Sequence, residues 1–192
     1  ASAVGYYGDH GTEVVTEESE PRQEGFLAHV CRAWEGATRP ASASGIRTLL
    51  ARIGVVLSPA GGALQVQFPI FWLGLGGRMG APNQYVPWIA IDDVVGGLYH
   101  LLWTDDLAGP VNLTAPHPAP MGDYARTLAD TLNRPARLQI PPSLIRTIGG
   151  EMADEMVLKS ARVVPKRLKE SGYDFGYDDL DSAFGHVLGR MP

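Results

Sequence analysis

The sequence predicts an α/β fold in which a parallel sheet is covered by helices and followed by a small, mainly helical C-terminal lobe. Segments typical of strands and helices alternate along the first part of the chain, a pattern that favours parallel strands joined by helical crossovers. The run Ile46–Leu57 is almost continuously apolar, as in a strand buried on both faces. After Pro141–Pro142 the pattern changes to short helical segments. We therefore expect two domains, residues 1–140 and residues 141–192.

Periodicity and turn residues predict the elements in chain order. The end of a strand opens the chain, and an exposed acidic loop over Glu13–Glu24 leads to a helix with apolar residues at helical spacing from Phe26 to Trp34. A connector over Arg39–Gly45 precedes the apolar strand, and Ser58 with Pro59 predicts a helix start. The next predictions are a strand over Tyr85–Ile91, a helix over Val94–Trp103 capped by Asp92 or Asp93, a strand over Val111–Thr114, a helix over Met121–Leu132 and a strand over Arg137–Ile140. Short helices follow over Leu144–Gly149, Glu151–Ala161, Pro165–Ser171 and Leu180–Leu188.

Composition excludes several classes of protein. The 192 residues, 45% of them hydrophobic, suffice for one sizeable core. The net charge of −5 and the lack of a dense Lys/Arg stretch argue against binding nucleic acid. The most apolar stretch, Leu64–Leu75, is interrupted by polar residues and Pro69, so it is too short for a membrane span. Ala1–Val4 lacks the features of a signal peptide, and we expect a cytoplasmic protein.

Metal and thiol chemistry have little support in the sequence. Cys31 is the single cysteine, which excludes an intramolecular disulfide and a cysteine-based zinc site. It falls on the apolar face of the first predicted helix, as a small buried residue does. The five histidines lack the spacing of a metal-binding pair. We expect no metal site.

Three segments are candidates for a binding site. Gly74–Gly80 has the glycine spacing of a dinucleotide loop, but a predicted helix precedes it and Ala81–Asn83 cannot begin a helix; a flexible glycine turn is favoured. Ser58–Gly62 lies at a strand-to-helix junction, where unpaired N–H groups favour an anion by roughly 0.3–1 kcal/mol; an ordinary capped helix is the alternative. Ser2–Gly8 contains a hydroxyl and two phenols, which could form a polar binding site. The alternative is a tight turn whose tyrosines cover the edge of the core.

Several short motifs also occur together in one order. They are Ser2–Asp9, Phe26–Leu27 with Trp34–Glu35, Arg52–Ser58 with Gly61–Leu64, Gly74–Gly77, Trp88–Ile89, Asp93 and Gly150–Ala153. With these motifs the chain resembles the epimerase-like atypical short-chain dehydrogenase/reductases, also described as cell-division-inhibitor-like sugar-nucleotide epimerases. The likeness covers essentially the whole chain, including the helical C-terminal part.

The resemblance implies a Rossmann-like fold, NAD(P) as cofactor and a small-molecule substrate that is sugar-nucleotide-like or a simple carbonyl or hydroxyl compound. It places the glycine-rich phosphate loop before Ala1, so we expect this chain to be the C-terminal part of a longer protein. We also expect the chain either to form a homo-oligomer or to pair with the missing N-terminal part. The choice between NAD and NADP is then not readable from this chain. The implied site residues are Ser2, Tyr6 and Tyr7 in catalysis, Arg52, Ile53 and Gly54 at the cofactor, and Gly61, Gly62, Phe71, Arg78, Gln84 and Trp88 at the substrate.

Two departures from the family pattern bear on activity. Relatives use a Tyr-x-x-x-Lys pair for proton transfer, whereas Leu27 and Cys31 stand at the corresponding spacing here. Nucleotide-sugar relatives also carry an arginine where this chain has Val86–Pro87, which removes a strong phosphate contact; Arg78 is a candidate substitute. The alternatives to an NAD(P)-dependent enzyme are therefore a catalytically silent dinucleotide-binding or regulatory protein, and a fold fragment that binds nothing alone.

Overall fold

A computed structural model describes residues 1–22, 25–81, 83–136, 138–140 and 159–189 of the chain. The strands are β1 (Ser2–Ala3), β2 (Val14–Val15), β3 (Leu49–Ile53), β4 (Val55–Leu57), β5 (Gly77–Met79), β6 (Tyr85–Val86), β7 (Trp88–Ala90), β8 (Gly109–Leu113), β9 (Ala119–Pro120), β10 (Leu138–Ile140) and β11 (Arg162–Val163). The helices are α1 (Phe26–Ala37), α2 (Arg39–Ala43), α3 (Gly62–Trp72), α4 (Ile91–Trp103), α5 (Met121–Thr131), α6 (Lys166–Glu170) and α7 (Leu180–Val187). A 3-10 turn over Val4–Tyr7 follows β1.

Parallel strands form the centre of the fold, which confirms the predicted α/β class. β3 lies between β1 and β8, with Ser2 opposite Arg52 and Ile53 opposite Leu113. β4 pairs with β7 in parallel. Smaller parallel pairs join β5 to β10 and β2 to β11, and β6 and β9 are antiparallel. Because β2 pairs with β11, the last part of the chain lies against the segment that follows β1.

The long apolar strand expected over Ile46–Leu57 is divided at Gly54, where the sheet forks. The Gly54 N–H donates to the Leu113 carbonyl, whereas the next N–H, of Val55, donates to the Pro87 carbonyl. A Cβ atom on residue 54 would lie 2.3 Å from that carbonyl oxygen and 3.0 Å from Thr114 Cγ2. Only glycine permits this approach without a shift of backbone. The fork lets the chain enter β4 and pair with β7.

Asp93 joins helix α4 to the C-terminal part instead of capping the helix. The residue before α4 is Ala90, which makes no side-chain cap. The buried Asp93 carboxylate accepts hydrogen bonds from the Tyr173 hydroxyl and from the N–H groups of Gly176 and Tyr177. Its neighbour Asp92 contacts His186 at 2.9 Å. Of the two predicted caps, Asp93 therefore binds the segment before α7 and Asp92 binds α7 itself.

Several boundaries differ from the sequence-based expectations. The connector after α1 contains the short helix α2, whose first turn accepts Pro40. Helix α3 begins at Gly62 with Gly61 as N-cap, and Ser58 accepts a bond from the Ala60 N–H in the preceding turn. The expected strand Tyr85–Ile91 is interrupted at Pro87, which lacks an N–H group. The helices expected over Leu144–Gly149 and Glu151–Ala161 lie outside the described residues, apart from non-helical residues 159–161.

Within the described ranges, no helix combines the length and the hydrophobicity needed to cross a bilayer.

Candidate functional site

A buried ion pair holds the hydroxyl of Ser2 in β1, level with Arg52 near the carboxyl end of β3. Arg52 and Ser2 are partners across the parallel register of β1 and β3, so their side chains emerge side by side. Arg52 donates from Nε to Glu35 Oε1 and from Nη2 to Glu35 Oε2, each at 2.8 Å, and the Ser2 hydroxyl donates to the same Oε1 at 2.8 Å. Such a two-bond guanidinium–carboxylate contact fixes orientation as well as position. Ser2 is therefore held in one rotamer.

The tyrosines of the opening turn complete the surroundings of Arg52. The Arg52 guanidinium lies 3.6 Å from the centre of the Tyr6 ring, a favourable cation–π arrangement. Arg52 Nη1 also donates to the Tyr7 hydroxyl at 2.9 Å, and that hydroxyl donates to Asn112 Oδ1 at 2.7 Å. The structure thus brings together Ser2, Tyr6, Tyr7 and Arg52, four residues that the resemblance implies for the site.

The network continues into the C-terminal part of the chain through Asn112. Its side-chain amide donates to the Val164 carbonyl, and its backbone N–H donates to Glu17 Oε1. The same carboxylate oxygen accepts the Arg167 N–H at 3.3 Å. All of these contacts are buried or partly buried, so they connect β1, β3 and β8 with the segment from residue 164 to residue 167.

Burial determines the acid–base character of Tyr7. Desolvation raises the pKa of this phenol to about 12, although Arg52 acts in the opposite direction. A fully buried phenol with so high a pKa is a weak proton donor at neutral pH, because efficient general acids have pKa values near the working pH. The geometry therefore favours Tyr7 as a positioning residue.

Cys31 lies close to Ser2, on the face of α1 that covers β1. Burial raises the pKa of its thiol, while the neighbouring Ala3 backbone and Ser2 side chain act in the opposite direction. A buried thiol with a raised pKa is largely protonated and unreactive at neutral pH. The position at which the resemblance would place a lysine therefore holds a neutral group.

The three residues implied for the cofactor occupy different environments. The Arg52 side chain is buried and engaged with Glu35, Tyr6 and Tyr7. Ile53 is half-buried at the carboxyl end of β3, beside Ala3 of β1. The missing Cβ of Gly54 is required by the approach of Pro87, so backbone packing alone explains this glycine.

Three of the six residues implied for the substrate, Phe71, Gln84 and Trp88, lie in the protein interior. Phe71 and Trp88 belong to one apolar core with Leu57 and Phe184. The Trp88 indole donates to the His117 carbonyl. Gln84 is buried and donates to the Lys159 carbonyl at 3.0 Å. Gly61 and Gly62 lie at the first turn of α3, where Gly62 has a φ of +68°.

Arg78 lies in a different place from the Ser2 network. It donates to Gln139 across the β5–β10 pair and borders an open depression of about 660 Å³. The other lining residues include Asp123, Arg126 and Arg134 from α5 and the segment that follows it. Ser2, Arg52 and Gly54 do not line this depression. Arg78 therefore borders a depression that Ser2 does not line.

Glu35, Asn112 and Glu17 take part in the Ser2 network although the sequence did not predict these roles. Glu35 lies in a helix at helical spacing from Cys31, and this spacing places both side chains over β1. Asn112 and Glu17 form their contacts across 95 residues of sequence. No local pattern could have indicated such a long-range contact.

Comparison with known proteins identifies relatives that match almost the whole chain. A family model described as a domain of unknown function, DUF1731, matches residues 140–187. An epimerase family protein of Mycobacterium bovis is 43% identical over 190 residues, which are 99% of this chain and 63% of that protein. The human epimerase family protein SDR39U1 is 32% identical over 187 residues, 97% of this chain and 64% of the human one.

The structure of human SDR39U1 (isoform 2) with NADPH matches this chain with a TM-score of 0.91 and 31% identity, over 99% of this chain and 64% of that one. Over nearly its whole length, the chain is similar to proteins of the epimerase-like atypical short-chain dehydrogenase/reductase kind. A nucleoside-diphosphate sugar epimerase from Corynebacterium glutamicum also matches, at a TM-score of 0.79 and 37% identity, over 98% of this chain and 36% of that one. The resemblance identified from the motifs is thereby confirmed.

The similarity covers only part of each relative. The chain spans a little under two thirds of the length of the first curated relatives. The UDP-glucose 4-epimerase of Thermus thermophilus, solved with NAD, shares the fold at a TM-score of 0.71 and 19% identity, over 99% of this chain and 63% of that one. The Rossmann-like architecture is thus common to the family and to more distant nucleotide-sugar epimerases.

Proposed function

We propose that this chain supplies the substrate side of an NAD(P)-dependent epimerase- or reductase-like protein that acts on a sugar-nucleotide-like or small carbonyl or hydroxyl compound. The observation that carries the proposal is the Ser2 hydroxyl, fixed by Glu35 and Arg52 near the carboxyl ends of the parallel strands β3 and β8. Ligands of open α/β sheets bind at such strand ends. The similarity to human SDR39U1, whose structure contains NADPH, supports the same reading.

The direction of the Ser2 hydrogen bond limits what the hydroxyl offers a substrate. A serine hydroxyl has one proton and two lone pairs, and the proton is directed to Glu35 Oε1. Ser2 therefore accepts a hydrogen bond from the substrate, as from an alcohol at the reacting carbon. Ser2 is buried, with 5% of its surface exposed, so little of the residue is open to a ligand.

Arg52, Tyr6 and Tyr7 act in this proposal through Ser2 and Glu35. Arg52 neutralises Glu35 and is itself enclosed by the two tyrosine rings. Without Arg52, the Glu35 carboxylate would be left partly buried and unpaired, which is costly. We therefore assign the three residues to positioning. Tyr6, whose ring is partly exposed, is the better candidate of the two tyrosines for direct substrate contact.

A nicotinamide ring would be held in this chain by Ile53 and Ser2, since a half-buried aliphatic side chain beside a small residue suits a flat ring. When bound, the cofactor supplies hydride exchange with the substrate carbon. The phosphate-binding loop is proposed to belong to the part of the relatives that this chain does not span. The substrate cleft is proposed to involve Gly61, Gly62, Phe71, Arg78, Gln84 and Trp88, of which Arg78 is the one with a guanidinium at an open surface.

The cytoplasm remains the proposed location of the protein. A relative in Arabidopsis thaliana, 39% identical over 98% of this chain and 53% of that protein, is named as chloroplastic, so location varies within the family.

The experiment is an absorbance assay at 340 nm with the full-length protein, NADPH or NADH, and a panel of nucleoside-diphosphate sugars and small carbonyl compounds. We expect oxidation of the cofactor with one class of substrate. Ser2→Ala and Glu35→Gln should lower kcat about 10- to 1000-fold, since a misplaced active-site group has effects of this order, while the exposed Ser44→Ala leaves it unchanged. Equal kcat in wild type and Ser2→Ala would remove Ser2 from the mechanism.

A catalytically silent dinucleotide-binding or regulatory protein is the second candidate function. It is favoured by the neutral Cys31 thiol at the place of the expected lysine and by the high pKa of Tyr7. The same incubations separate the two functions when their products are also analysed, because an epimerase returns the hydride and leaves no net change at 340 nm. Cofactor binding with neither a substrate-dependent change at 340 nm nor an epimerised product, over the whole panel, supports the silent protein.

A further inference from the structure

Helix α4 presents an apolar face with no partner among the described residues. One side of the helix is buried: Val94, Gly97 and Leu101 pack into the interior below the sheet. On the other side, Val95 is 62%, Tyr99 64%, Leu102 65% and Trp103 74% exposed. Ile91 and Leu98 are exposed on the same side to a smaller extent.

The exposed apolar area of this α4 face is larger than that of the patches found on most monomeric proteins. With whole-residue areas of about 150–250 Å², the exposed fractions of the six residues amount to roughly 700 Å² of contiguous apolar surface. Monomeric proteins rarely expose apolar patches larger than a few hundred Å². Two such faces together would bury about 1,400 Å², within the range of specific protein–protein interfaces.

We propose that the α4 face binds the α4 face of a second copy of this chain, with the two helices antiparallel. The seam residues Ile91, Val95, Leu98 and Leu102 are separated by four, three and four positions, which is the spacing of helices that pack with interlocking side chains. This spacing reads the same in both directions, so it suits a two-fold axis that crosses the helix near its middle.

The antiparallel arrangement also matches side-chain size and helix polarity. The large rings of Tyr99 and Trp103 lie at one end of the face, and Ile91 and Val95 lie at the other. A two-fold axis at right angles to the helices places the aromatic end of one copy against the aliphatic end of its mate. It also opposes the two helix dipoles. Parallel helices would bring like ends together.

Charge argues against a membrane surface as the occupant. Helices that lie on membranes carry Lys or Arg along their polar face. Helix α4 contains no Lys or Arg, begins with Asp92 and Asp93, and is followed by Asp105 and Asp106. Arg47 lies near the end of the helix, but its guanidinium donates to carbonyls of the last turn, including Leu101 and Leu102. A second copy of the same neutral face has no such conflict.

The test is the molar mass of the chain in solution, measured by sedimentation velocity between about 1 and 100 µM, a range that covers typical dissociation constants of weak to moderate dimers. We expect a dimer for the wild type. Val95→Lys and Leu98→Glu should each give monomers with unchanged circular dichroism. The control Val66→Glu changes an equally exposed residue on α3 and should leave the dimer intact.

A mixture of the two charged variants tests the antiparallel register. Position 95 of one copy faces position 98 of its mate, so a mixed pair brings one lysine against one glutamate and returns valine against leucine. Dimers should reappear on mixing. A wild type that is monomeric at 100 µM, a dimer unaffected by both variants, a mixture that stays monomeric, or flotation of a monomer with phosphatidylcholine vesicles would each overturn the proposal. If one variant fails to fold, the other with the Val66→Glu control still decides whether α4 forms the interface.

Discussion

At the scale of single residues, the hydroxyl of Tyr7 connects two parts of the candidate site. It accepts a hydrogen bond from Arg52 and donates one to Asn112, so its loss leaves two buried polar groups without their partner. Such groups cost about 1–3 kcal/mol when one partner is removed. The resemblance implied that Tyr7 is a catalytic group, whereas its buried contacts favour a structural role at the centre of the network.

Replacing Tyr7 by Phe should lower the free energy of unfolding by about 1–3 kcal/mol at pH 7.5, and the difference from wild type should shrink above pH 10. Burial raises the pKa of Tyr7 from 10 to about 12. Between these values the unfolded chain loses the phenolic proton while the folded chain keeps it, so the stability contributed by Tyr7 falls as pH rises. Urea unfolding at several pH values measures the effect.

Tyr85→Phe is the matched control, because the Tyr85 hydroxyl makes no hydrogen bond within the described part of the chain and its ring stays over Arg162. Its stability should follow that of the wild type across the pH range. If Tyr7→Phe and wild type lose stability in parallel above pH 10, the pKa of the Tyr7 phenol does not differ between the folded and unfolded chain, and the prediction is wrong.

At the scale of elements, the fork at Gly54 determines how the site is assembled. Strand β3 supplies Arg52 to the Ser2 network, and β4 turns away to pair with β7. The sequence indicated one long apolar strand, because a run of Ile, Val and Leu does not reveal where hydrogen-bonding partners change. Helices α1, α4, α5 and α7 were predictable from their periodicity, since their buried residues recur at helical spacing.

Gly54→Ala should destabilise the chain by about 2–4 kcal/mol, because the added methyl group would lie 2.3 Å from the Pro87 carbonyl oxygen and either the backbone or the fork must shift. The control is Gly36→Ala in helix α1, where an added Cβ meets nothing within 4 Å. That change should stabilise by up to about 1 kcal/mol. Denaturant unfolding gives both values, and a Gly54→Ala variant as stable as wild type would show that the fork can relax.

At the scale of the whole molecule, the C-terminal segment and the strand ends form connected parts of one structure. Glu17 and Asn112 bind residues 164 to 167, and Asp93 binds residues 173 to 177. The motifs indicated the resemblance to epimerase-like proteins, and the alternation of strands and helices predicted the α/β class. They did not predict the Glu35–Arg52–Ser2 contacts, since these depend on strand register and on a helix that crosses β1. The division into residues 1–140 and 141–192 stays a prediction.

The central claim is that Ser2 and the ends of β1 and β3 form the nicotinamide side of a cofactor site. Saturation-transfer difference NMR of this chain with NADPH tests it directly, because the method reports which ligand protons contact the protein. We expect stronger saturation of the nicotinamide protons than of the adenine protons. This difference should be retained in Arg78→Ala and reduced in Ile53→Lys. Stronger saturation of the adenine protons, or none on either ring, would contradict it.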